Sequence, residues 1–125
     1  MPKTTDSIEK FILEFKLLDK MKLLIEIRSN MEIEIRKRQE NMIKTGELKT
    51  ITVLDKDDFV DCLIYCVVKG DICLQDLGVS LKYFIYIVGA DCENILSKFR
   101  CDPYFADLEG VFDYLVEKRG NDENK

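Results

Sequence analysis

Cysteine and carboxylate side chains are the residues of this 125-residue chain whose types and spacing could do chemistry. Cys62 and Cys66 are four apart, so on a helix both thiols share one face and could grip one metal ion. Cys73 and Cys92 could in principle complete a four-thiolate zinc site. The chain holds no histidine, and these spacings match no structural zinc motif, so no metal is expected. A catalytic thiolate wants a positioned base, most often histidine, and that partner is missing too.

The carboxylates are densest at Asp55, Asp57, Asp58 and Asp61. A calcium-binding EF-hand loop needs oxygen ligands at alternate positions, a central glycine and a terminal glutamate. Here Phe59, Val60 and Cys66 stand at a ligand position, at the glycine position and at the glutamate position. Asp55 to Asp58 instead suit the first turn of a helix, where the macrodipole favours negative charge. With no glycine-rich phosphate loop, Ser-His-Asp set or dinucleotide fingerprint, no enzyme and no cofactor are expected.

The elements around these residues read as helices, and the chain is long enough to bury roughly two-thirds of its unfolded surface. Asp6 and Glu9 have the spacing of a capping box, and Ile8, Phe11, Ile12, Phe15 and Leu18 follow as an apolar stripe. A second stripe, Leu17, Met21 and Leu24, makes this helix apolar around more than half its girth, so it should be covered on two sides. Ser29 and Glu32 repeat the cap signature. They predict a break near 28–30 and a second helix ending at Gly46, with a single helix over 6–45 as the alternative. In the single-helix reading Leu17, Met21, Leu24, Arg28, Met31, Ile35, Arg38 and Met42 keep coiled-coil spacing.

Residues 49–54, KTITVL, read as an extended connector or a short strand. Beyond them lie helices punctuated by glycine: 55–69, 72–77, 80–88 and 91–100. Asp102-Pro103 then opens a last helix, which Gly120 closes before a frayed tail at 121–125. The expected fold is all-α: an N-terminal helical hairpin or long helix (1–50), then a compact acidic bundle of short helices (51–120).

Charge narrows the function. Residues 1–50 carry 11 Lys/Arg against 9 Asp/Glu, a balance of +2, and residues 51–125 carry 8 against 15, a balance of −7. An acidic half repels a phosphate backbone. The stretch Leu77-Gly78-Val79-Ser80 resembles a helix-turn-helix turn, but the following helix would offer Lys82 as the one cation beside Tyr83, Ile85 and Tyr86. DNA-reading helices carry more Arg, Lys, Asn or Gln.

Five cysteines, an odd number with two in apolar helical text, point to a reducing compartment, the cytoplasm or nucleus. The segment 11–27 is interrupted too often by charge to span a membrane.

The expectation is therefore a non-catalytic protein–protein interaction module, an adaptor or a subunit of a larger assembly, forming a homo-oligomer (a dimer) or docking through its N-terminal apolar helix. Its partner would be another protein with a basic or apolar helical surface. The expected contact residues are Phe11, Phe15, Leu18, Leu24, Ile25, Tyr83 and Tyr86. Two alternatives are a nucleic-acid-binding regulator using a helix-turn-helix at 70–89 with Arg36, Lys37, Arg38 and Lys82, and a groove that captures an amphipathic target helix.

Overall fold

The computed structural model describes residues 1–89, 97–98 and 100–123. The described residues form an all-helical fold with no strand: α1 Pro2–Leu13, α2 Leu17–Lys44, α3 Lys56–Lys69, α4 Leu74–Val88 and α5 Asp102–Glu123. Most of the helix expected over 91–100, including Cys92, and the last two residues lie outside the described set; Ser97 and Lys98 are helical.

The N-terminal region is a hairpin, but its bend is not at 28–30. α1 starts at Pro2, four residues before the expected cap, and ends at Leu13, and Glu14 and Lys16 flank the bend with extended backbone. α2 then runs unbroken through Ser29. Asp6 does not cap α1; it pairs with Lys10 at 3.1 Å, one turn along the helix. The cap comes from across the hairpin. Glu34 Oε1 accepts from the Thr4 amide at 2.7 Å and from its hydroxyl at 2.9 Å. A carboxylate from α2 thus satisfies an orphan first-turn N–H and meets the positive end of the α1 dipole.

Cross-contacts at Phe11/Lys20, Ser7/Asn30 and Thr4/Glu34 show α1 and α2 running antiparallel. The α2 stripe with coiled-coil spacing is used inside the molecule: Met21, Leu24 and Met31 are core residues. Arg28 on that stripe is no misfit. Its guanidinium lies 3.2 Å from the centre of the Phe59 ring and 3.6 Å from Asp107, so it is stacked and charge-paired where it leaves the core.

The Asp55 region forms as expected. The Asp55 side chain accepts from the Asp58 amide at 3.0 Å and the Asp58 side chain accepts from the Asp55 amide at 2.9 Å, a reciprocal capping box. α2 stops near Gly46, whose φ of +82° lets the Glu47 amide turn back to the Met42 carbonyl.

Residues 72–88 differ from the expectation of two short helices. Leu74–Val88 is a single helix through Gly78 and Ser80. Gly78 is there for close approach, because a Cβ at that position would lie 2.5 Å from the Phe112 ring. A helix-turn-helix centred on 77–80 is therefore not formed. α5 likewise continues through Gly120 to Glu123. Gly120 keeps its φ out of the left-handed region in which glycine often ends a helix, as Gly46 does after α2.

One hydrophobic core draws on all five helices, with Phe84 of α4 at its centre. The Phe84 ring stacks on Phe105 at 4.9 Å and tilts against Phe11 at 6.1 Å. No helix among the described residues is long and apolar enough to cross a membrane.

Candidate interaction surface

α1 ends at Leu13, so the Phe11 carbonyl has no helical partner and turns to a side chain. Lys20, one turn into α2, donates to it from Nζ at 2.6 Å and to Ser80 Oγ of α4 at 2.7 Å. The Ser80 hydroxyl also reaches the same carbonyl at 3.4 Å. The ammonium lies 4.1 Å from the centre of the Phe11 ring, and Lys20 is only 1% exposed. Burial lowers its pKa from the usual 10.5 to about 8, against the opposing pull of Glu14.

Tyr83 of α4 lies over this knot. Its hydroxyl donates to the Phe15 carbonyl at 3.3 Å, and its ring meets the Phe15 ring edge-on at 5.8 Å. The backbone is thereby held on the α1 side of the bend by Lys20 and at Phe15 by Tyr83, and the bend and the first turn of α2 carry large apolar side chains into solvent. Phe15 is 72% exposed and Leu18 57%. Tyr86, one helical turn from Tyr83, is 83% exposed. Ile25, seven residues from Leu18 and so on the same face of α2, is exposed as well.

Of the seven expected contact residues, Phe15, Leu18, Ile25 and Tyr86 lie on the surface and Tyr83 is half-buried between surface and core. Phe11 and Leu24 belong to the core, packed inside a single chain and offering no surface. Sequence spacing places them on the apolar side of their helices, but spacing cannot distinguish a stripe covered by the same chain from one left for another molecule.

The basic residues fall into separate places. Lys37 and Arg38 line a groove of about 390 Å³ with Lys3, Ile33, Glu34 and Tyr65. Arg36 is exposed on α2, and Lys82 lies on the outward side of α4 and is not part of that groove. The roles of Lys20, Ser80 and Glu34 have no local sequence signal. Lys20 looks like one more polar interruption of an apolar run until α4 is packed beside it.

Cys62 and Cys66 share a hydrogen bond that lowers the pKa of the Cys66 thiol against the opposing effect of burial. The hydrogen bond between Cys62 and Cys66, followed by burial, pushes the Cys62 thiol well up, away from the reactive thiolate. Cys73 is exposed, and among the described residues no three or more His, Cys, Asp or Glu side chains gather as a metal site. Comparisons with protein families, curated proteins and solved structures find no match to this chain.

Proposed function

We propose that the chain is a non-catalytic protein–protein interaction module, an adaptor or subunit of a larger assembly, that self-associates through the bend between α1 and α2. The observation behind this reading is the exposure of Phe15 on the bend and of Leu18 in the first turn of α2, beside backbone that Lys20 holds at Phe11 and Tyr83 at Phe15. A large apolar group held rigid loses little entropy on docking, and aromatic residues are enriched at the cores of interfaces. Tyr83 and Tyr86 extend the contact onto α4, and Ile25 extends it along α2.

Sedimentation velocity over a range of concentrations tests this. Because Phe15 and Leu18 are exposed, the double variant Phe15→Glu/Leu18→Glu should keep the wild-type far-ultraviolet spectrum and melting temperature. The wild type should dimerise and the variant should stay monomeric. A wild type that remains monomeric at every concentration, or a folded variant that still dimerises, would refute the reading.

A further inference from the structure

We propose that the groove between the start of α1, the middle of α2 and α3 binds an acidic amphipathic peptide segment of a partner protein, independently of the bend at 14–16. On α2, Ile33 and Lys37 stand one turn apart, and Glu34, Arg38 and Asn41 continue along the same side at helical spacing. Lys3 comes from α1 and Tyr65 from α3, and together these residues enclose about 390 Å³. Ile33 and Tyr65 are both exposed, so the groove offers apolar contact between its cations.

Charge selects the occupant. Among the described residues, Lys3, Lys37 and Arg38 have no carboxylate within ion-pair distance. The single acid of the groove, Glu34, is already committed: one oxygen accepts from Thr4, and the other lies 3.9 Å from the Met1 amine. Three cations without an ion pair among the described residues, beside Ile33 and Tyr65, fit a segment that alternates Asp or Glu with aliphatic or aromatic residues. A nucleic-acid strand would meet the same cations, but the acidic half of the chain opposes a long polyanion running beyond the groove.

The test is a random peptide library displayed on phage, selected on the wild-type chain and counter-selected on the double variant Lys37→Glu/Arg38→Glu. Enriched peptides are then labelled and titrated by fluorescence anisotropy, with a labelled single-stranded oligonucleotide and a duplex run alongside. Acidic peptides with interleaved apolar residues should be enriched. Their affinity should fall by about tenfold or more in the double variant and in Tyr65→Ala, and should weaken with added salt. Phe15→Glu/Leu18→Glu should bind these peptides as well as the wild type does, which separates failure here from failure of the self-association reading.

The substituted side chains lie on the surface, so the circular dichroism of both groove variants should match the wild type. No enrichment, enrichment of neutral or basic peptides, or equal binding by the double variant would overturn the proposal. Oligonucleotide binding lost in the double variant, with no peptide enriched, would assign the groove to nucleic acid. Self-association abolished by Lys37→Glu/Arg38→Glu would assign it to a second copy. Either result refutes the peptide.

Discussion

The Lys20 ammonium lies 2.6 Å from the Phe11 carbonyl oxygen, so a buried cation from the second helix closes the C-terminal end of the first. Ser80 of α4 shares both groups, at 2.7 Å and 3.4 Å, which ties three helices at one point beneath the exposed bend. Truncation to Lys20→Ala removes the aliphatic stem and leaves buried polar groups short of a partner. It should cost about 2–4 kcal/mol in urea unfolding at neutral pH, and Lys20→Met, which keeps most of the volume, should cost less.

The same lysine should make stability depend on pH. Its folded pKa of about 8 lies below the ordinary 10.5, so between those values the unfolded chain binds more protons. Stability therefore rises as pH increases from about 8 towards 10.5, and below about 8 the folded state bears the full cost of the buried charge. The gain should be on the order of 2–3 kcal/mol. It is read as the difference between wild type and Lys20→Met across that window, which cancels the other titrating groups. Parallel curves for the two proteins would contradict the assignment.

Gly78 and Gly110 are both helical glycines, yet they should respond to alanine with opposite signs. A methyl at Gly78 meets the Phe112 ring at 2.5 Å, whereas one at Gly110 meets nothing within 4 Å. Gly110→Ala should stabilise the protein by up to about 1 kcal/mol through helix propensity alone. Gly78→Ala should destabilise it by about 1–2 kcal/mol despite the same propensity gain, because the ring must move. Adding Phe112→Leu to Gly78→Ala should recover part of that loss, and chemical denaturation of the two single variants and this double variant checks the set.

Capping should separate two aspartates with similar sequence signatures. Asp55→Ala removes an observed capping box and should cost about 1 kcal/mol. Asp6→Ala loses only an exposed pair with Lys10 and should cost no more than about 0.5 kcal/mol. Glu34→Ala, which uncaps α1 from across the hairpin, should cost about 1–3 kcal/mol. Thermal melts give the order of the three.

Thiol labelling under native conditions should modify Cys73 quickly and leave Cys62 and Cys66 unmodified until the chain unfolds. Both are buried, and the raised pKa of Cys62 keeps it protonated. Peptide mapping after a short pulse of a thiol reagent checks this. Fast native labelling of Cys62 would show that α3 opens at its contact with α1.

Local chemistry was legible in the sequence wherever a residue's own neighbours decide the outcome. The all-helical class, the acidic first turn of a helix at Asp55–Asp58 and the stop at Gly46 all rest on contacts within a few positions, and the structure has each of them. The sequence also shows that the segment from Ile8 to Ile27 has more apolar surface than one helix face can bury. What the sequence left open was settled by partners distant along the chain. The bend falls at 14–16, where Lys20 closes the end of α1 at the Phe11 carbonyl and Tyr83 holds the Phe15 carbonyl, while the cap signature at Ser29 and Glu32 is overridden by continuous packing of α2 against α1 and α5. Gly78 reads as a turn residue until Phe112 supplies the reason for a missing side chain. Phe11 and Leu24 match Phe15 and Leu18 in chemistry and spacing, and only the packing of α4 and α5 decides which pair is core and which faces outward. Periodicity shows that a face is apolar; what covers it depends on tertiary contacts between residues far apart in sequence.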